Sequence, residues 1–188
     1  MGNRPAPGIR WHAGDRGARR VTAVVRGLQT RAGHIGYRDQ LDRARRFLDR
    51  VERPILDELD LQELDDVAFQ DETWAFFQNC WHLKDWISND PLVPSATKDA
   101  VIAMAHQSQD LLICWDLCNG TKHLGLRDGA MHVRTDTTVD FERGFIQVDC
   151  VIDDGNGQEI SGKALARRCV EEWERILDAH GLATARRS

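Results

Sequence analysis

The sequence predicts a mainly α-helical fold: a bundle of four or five helices, with a small antiparallel β-hairpin or three-stranded sheet inserted before the last helix. Three observations predict it. From Tyr37 onward, apolar residues recur at three- to four-residue spacing through most of the chain, which is the period of one face of a helix. After Leu126 the period switches to two and β-branched residues gather, as half-buried strands require. At 188 residues the chain is long enough for one domain with a real core.

Residues 1–36 stand apart. They hold seven arginines, many glycines and one acid, Asp15, with only Val21 to Val25 as an apolar interruption. That composition predicts a disordered basic leader. The alternative is a basic arm for nucleic acid or another anionic partner. The leader carries a balance of +6, so of the net −5 the remaining 152 residues carry −11. An acidic body is a poor general binder of nucleic acid, because phosphate contacts need clustered Lys and Arg. The bundle itself is expected over residues 37–182, with the β insertion at about 130–161 and a loose tail at 183–188.

The first helix places Tyr37, Leu41, Ala44, Leu48, Val51 and Ile55 on one face, and Pro54 should kink or restart it. An acidic connection from Asp57 to Asp66 leads to a second helix, about 67–88. On a helical wheel, Trp74, Phe76, Phe77, Cys80, Trp81 and Ile87 cover about half of its circumference, opposite Asp71, Gln78, His82 and Asp85. So broad an apolar arc needs cover on two sides, from the bundle or from a second subunit, and favours a homodimer. Glu72 and Asn79 fall outside the polar set.

Asn89, Asp90 and Pro91 stop this helix, and Ser95 is the expected N-cap of the next. That third helix is expected to run on to about Gly120, with Val101, Met104, Ser108, Leu111, Trp115 and Cys118 in one stripe. Its short connector makes it antiparallel to the second helix. Strands follow at Met131 to Thr138 and Phe145 to Ile152, with Asn156-Gly157 as a tight turn between Ile152 and Ile160. A last helix, about 162–180, packs Leu165, Cys169, Trp173, Ile176 and Leu177 and ends at His180 before Gly181.

No apolar run approaches the roughly 20 residues of a membrane span, and the N-terminus has no apolar signal region. Five scattered cysteines without CxxC spacing point to reduced thiols and a cytoplasmic protein. No metal or cofactor is expected. Cys114, Cys118 and His123 suggest a metal set, but His123 lies on the far side of the helix from Cys114, whereas zinc needs convergent ligands. Asp153 to Glu159 has the residue types of a calcium loop without its spacing. There is no GxSxG and no glycine-rich phosphate loop.

One polar group does stand out, in the run DLCNGTKH. Asp116, Asn119 and His123 share a helix face, with Lys122 beside them. In the antiparallel pairing Glu72 would join them. A carboxylate that fixes a histidine tautomer and raises its pKa can support general acid–base work. The alternative is a helix cap, with Lys122 and His123 answering the terminal carbonyls.

The stretch RDGAMH, Arg127 to His132, fits the pattern of an Arg, a polar residue, a few others and a His. With the helical layout it resembles the HEPN domains of bacterial toxin and defence systems. That resemblance implies a metal-independent ribonuclease working as a dimer, with Arg127 holding the scissile phosphate and His132 acting as acid or base. Two functional expectations follow. The first is a non-enzymatic helical binding or accessory protein of bacterial type, acting through a Trp-rich groove or dimer surface on a protein partner. The second is a HEPN-like ribonuclease using His132 with Arg127, or His123 with Asp116 and Asn119. RNA is a partner only under the second, and a membrane under neither.

Overall fold

Tyr37–Val51 forms α1, in a computed structural model that describes residues 29–30, 33–34, 36–53, 66–123, 135–142, 145–153 and 157–185. Its first turn is fixed by Asp39, whose carboxylate accepts the Gly36 backbone N–H at 2.9 Å, and Arg50 in its last turn complements the helix dipole. The face carrying Tyr37, Leu41, Ala44 and Val51 is buried, as its spacing predicts. Pro54 lies outside the described residues.

Asp66–Asn89 forms α2, the central helix. Phe76, Phe77, Cys80, Leu83 and Ile87 are all within 1 % of full burial. The expectation of a second subunit rested on the breadth of this arc. Within the chain, however, α2 meets α1, α4 (Gln109–His123), α3 (Ser95–Ala105) and α5 (Gly162–Ala179), and these supply the cover. Asp90 ends the helix. Its buried carboxylate accepts Leu92 N–H at 2.9 Å and Tyr37 N–H at 3.0 Å, pinning the end of α2 to the start of α1.

The third helix departs from expectation. Pro94, not Ser95, holds the N-cap position of α3, with no side-chain cap, and the helix stops at Ala105. After a turn at His106 and Gln107 the chain restarts as α4. The break reverses the chain, so α4 runs parallel to α2, not antiparallel. Its partners on α2 rise in step: the Cys114 Sγ–H donates to the Phe77 carbonyl at 3.4 Å, Trp115 stacks on Trp81, and Cys118 Sγ lies 3.9 Å from His82 Nε2.

Beyond α4, Thr135–Glu142 (β3), Phe145–Asp153 (β4) and Glu159–Ser161 (β5) form one antiparallel sheet in the order β3-β4-β5. Ile152 pairs with Ile160 and Asp153 with Glu159, and Gly157, at φ 82°, takes the left-handed conformation that glycine adopts without strain. Another antiparallel pair, Gln29–Thr30 (β1) with Gly33–His34 (β2), lies inside the stretch expected to be a leader without structure.

The last helix, α5, is built onto the sheet. Ser161 caps it by accepting Ala164 N–H at 3.1 Å. The Asp149 carboxylate on β4 accepts the Ser161 hydroxyl and the backbone N–H of Lys163 (3.1 Å) and Cys150 (2.7 Å). At the other end Leu182 N–H bonds Leu177 O (2.9 Å) and Gly181 N–H bonds Asp178 O (3.0 Å), with Gly181 at φ 68°. This is the paired closure of a left-handed helix end. The tail expected to be loose is tied down where it starts: Tyr37 Oη donates to Ala183 O at 3.2 Å, and Arg45 donates to Thr184 O at 2.6 Å. Trp173, Leu165, Ile176 and Leu177 of α5 complete the core.

Candidate functional site

Parallel packing dissolves the polar cluster expected at the end of the bundle. Asp116 sits level with Trp81 and His82 of α2, so Glu72 lies about ten residues away, roughly 15 Å along the axis. Asp116 and Asn119 remain on one face of α4 and are half-buried, and the backbone of Lys122 and His123 forms the last turn of the helix. Glu72 does not join them. Asn79, the other misfit on the wheel, is a structural residue: its Nδ2 donates to Ala75 O at 2.7 Å, and its carbonyl accepts Gln40 Nε2 at 2.7 Å from α1. Arg127 and His132, the residues of the HEPN-like pattern, lie outside the described residues, as do residues 154–156 of the calcium-like loop.

Two other arrangements have the geometry of sites. The first is an aromatic group on the surface between α2 and α4. Trp81 and Trp115 stack with ring centroids 5.6 Å apart and planes 14° apart. The His106 ring stands edge-on to both, at 5.3 Å from Trp81 and 5.7 Å from Trp115. Lys84 Nζ lies 5.4 Å from the Trp81 centroid and is paired with Asp85 at 2.6 Å. Trp81 is buried, whereas Trp115 is 38 % exposed. Of the four tryptophans between Glu72 and His123, Trp74 and Trp86 are half-buried, and Arg43 lies over the Trp86 ring at 5.4 Å. The Trp-rich surface therefore narrows to Trp115. The apolar stripe that would have buried it assumed a continuous helix through His106.

The second arrangement is in the core. The Sγ atoms of Cys80 on α2, Cys114 on α4 and Cys169 on α5 lie within 4.8 Å of one another, and all three residues are fully buried. Cys169 Sγ–H donates to Asp110 O at 3.4 Å, as Cys114 does to Phe77 O. The Trp173 indole N–H is fully buried and has no hydrogen-bond partner among the described residues, although it lies beside Cys80. Burial alone would raise the Cys80 thiol, but the Cys114, Cys169 and Trp173 side chains around it pull it down to about 5. Burial pushes Cys114 and Cys169 well above the ordinary thiol range.

The set first considered, Cys114, Cys118 and His123, does not converge: Cys118 turns to His82 while Cys114 joins Cys80 and Cys169. Sequence spacing could not reveal the convergence, because the three cysteines come from three helices. The one available signal was that each sits on the apolar face of its helix. No disulfide joins the five cysteines, and all five are buried. No helix among the described residues is long and apolar enough to cross a membrane.

Comparison of the chain with models of known families, with curated protein sequences and with solved structures finds no significant match.

Proposed function

We propose that this chain is a non-enzymatic helical binding or accessory protein, which holds a basic segment of a partner protein against Trp115. The observation that carries the reading is the 38 % exposure of Trp115 while its ring is stacked on the buried Trp81. An indole fixed in this way loses little freedom on binding, and large pre-oriented aromatics are the usual anchors of interfaces. The partner's character follows from charge. Residues 37–188 carry −11, so a basic segment is attracted and an anionic one repelled. An arginine or lysine laid on the open part of the Trp115 ring adds a cation–π contact of about 0.5–2 kcal/mol.

Calorimetric titration tests this with defined peptides that carry one Arg or Lys beside an apolar residue, against counterparts with Glu in its place. Binding of the basic peptides should weaken about 30-fold in Trp115→Ala, the effect of losing an anchor worth about 2 kcal/mol. Equal binding of basic and acidic peptides, or binding indifferent to Trp115, rejects the reading. Two parallel measurements place the other occupants. Sedimentation of wild type against Trp115→Ala would reveal a self-association through this face. Incubation with single-stranded RNA, beside His132→Ala and His123→Ala, would reveal a nuclease, and cleavage lost in either variant would replace the binding reading.

A further inference from the structure

We propose that Cys80, Cys114 and Cys169 form a three-thiolate site for a soft, three-coordinate ion of the copper(I) or trivalent-arsenic class. Soft thiolate donors select soft ions over the harder metals that prefer oxygen. The mutual separations fit. Metal–sulfur bonds of about 2.3 Å in a trigonal arrangement place sulfurs about 4 Å apart, and the three Sγ atoms already lie within 4.8 Å of one another. A small contraction completes the site, without any change of helix packing.

Coordination number follows from the surroundings. Structural zinc takes four ligands, and among the described residues the three sulfurs are the whole donor set. Around the cluster stand the carbonyls of Phe77 and Asp110, the Trp173 indole and, within reach of Cys169, the Asp110 carboxylate, which is held by Arg168. An ion content with three sulfurs is therefore favoured. The indole is the second, independent pointer. Its N–H is fully buried and, among the described residues, without an acceptor while the sulfurs are thiols, and buried donors are ordinarily satisfied. A thiolate sulfur at Cys80 supplies that acceptor, as N–H groups do around metal-bound sulfurs.

The exchange balances without an oxidant. Each S–H bond is replaced by a bond from sulfur to the ion. With arsenite the three thiol protons leave with its three oxygens as water, and the product is neutral. With copper(I) the three displaced protons go to solvent and the product carries two negative charges, so the neutral arsenic product suits a dry core better. Neutrality matters because an uncompensated charge in a dry core costs several kcal/mol. The S–H bonds to Phe77 and Asp110 are given up in either case, and thiols are weak donors.

The test uses the reduced full chain, titrated separately with buffered copper(I), arsenite and zinc, both folded and during refolding, since a buried site loads through local opening. Expected are one ion per chain for copper(I) or arsenite, three sulfur neighbours by X-ray absorption, and a raised unfolding temperature. Cys80→Ser or Cys169→Ala should weaken uptake at least about 100-fold, beyond the effect of losing an outer-shell partner. Cys118→Ala and Cys150→Ala should leave it unchanged. Where a ligand variant fails to fold, the absorption spectrum of the wild type decides. The proposal is overturned by no uptake of either ion, by oxygen or nitrogen in the coordination shell, by zinc bound more tightly than both, or by uptake indifferent to the three cysteines.

Discussion

The indoles of Trp81 and Trp115 lie with planes 14° apart and centroids 5.6 Å apart, and one is 3 % exposed while the other is 38 % exposed. The pair therefore separates stability from surface chemistry. Trp81→Ala should cost about 3–5 kcal/mol, the usual effect of emptying a buried aromatic site. Trp115→Ala should cost about 1 kcal/mol, the stacking contribution of an aromatic pair. Urea unfolding of both single variants and the double variant checks this, and their coupling should be about 1 kcal/mol.

Asp90 ties two helices through its carboxylate, accepting Tyr37 N–H and Leu92 N–H at 3.0 and 2.9 Å while 4 % exposed. Asp90→Ala leaves the buried Tyr37 N–H and the part-buried Leu92 N–H without this acceptor and should destabilise by about 2 kcal/mol. Asp90→Asn keeps one acceptor oxygen and should lose about half as much, by thermal unfolding.

Gly162 opens α5 directly under β4. A Cβ there would stand 2.7 Å from the Cys150 carbonyl oxygen and 3.1 Å from its Cβ. Replacing a helical glycine by alanine ordinarily gains about 1 kcal/mol. Here Gly162→Ala should instead cost about 1–3 kcal/mol, because backbone must move to admit the methyl group. Gly120→Ala, where a Cβ meets nothing within 4 Å, is the control and should keep the gain.

Lys163 is half-buried, and burial lowers its pKa below the ordinary lysine value, against the opposing charges of Asp149 and Glu52. Between the folded and unfolded values the unfolded chain holds more protons, so stability rises with pH through that window. Below it the charged amine destabilises the fold throughout. Lys163→Met should therefore stabilise at neutral pH, by less than about 1 kcal/mol because the group still meets solvent. The difference from wild type should vanish above the ordinary lysine pKa. Denaturant midpoints measured from pH 7 to alkaline pH decide it.

The elements visible in the sequence were those whose period and punctuation agree. In α1 the face of Tyr37, Leu41 and Ala44 is buried as spaced, and Ile152 pairs with Ile160 as their flanking pattern predicts. The break after Ala105 was missed because the apolar spacing Val101, Met104, Ser108, Leu111 continues through it with no proline or glycine. A weaker local signal was present. Ser108 directly precedes α4, its carbonyl accepts Leu112 N–H at 2.9 Å, and Asp110 stands in the first turn; this is the residue pattern of a helix start. Missing the break reversed the direction of α4, and with it both the imagined Glu72–Asp116 grouping and the real meeting of Cys80, Cys114 and Cys169. A direction error carries into every side-chain neighbourhood downstream, whereas an error of one or two residues at a helix end does not.

The parallel course of α2 and α4 also bears on how the chain reaches its native state. Two helices joined head to tail by a tight turn can zip together from that turn outward. A parallel pair has no such starting point. Trp81 and Trp115 are separated by 34 positions, and closing that span costs about 3 kcal/mol of chain entropy before the stack forms. Helix α3 shortens the effective span by lying back on α2. Its docking would then belong to the folding transition state, and Val101→Ala, at a fully buried position of α3, would slow folding while leaving unfolding nearly unchanged. Stopped-flow kinetics on that single variant would tell whether α3 is a spacer or the step on which assembly waits.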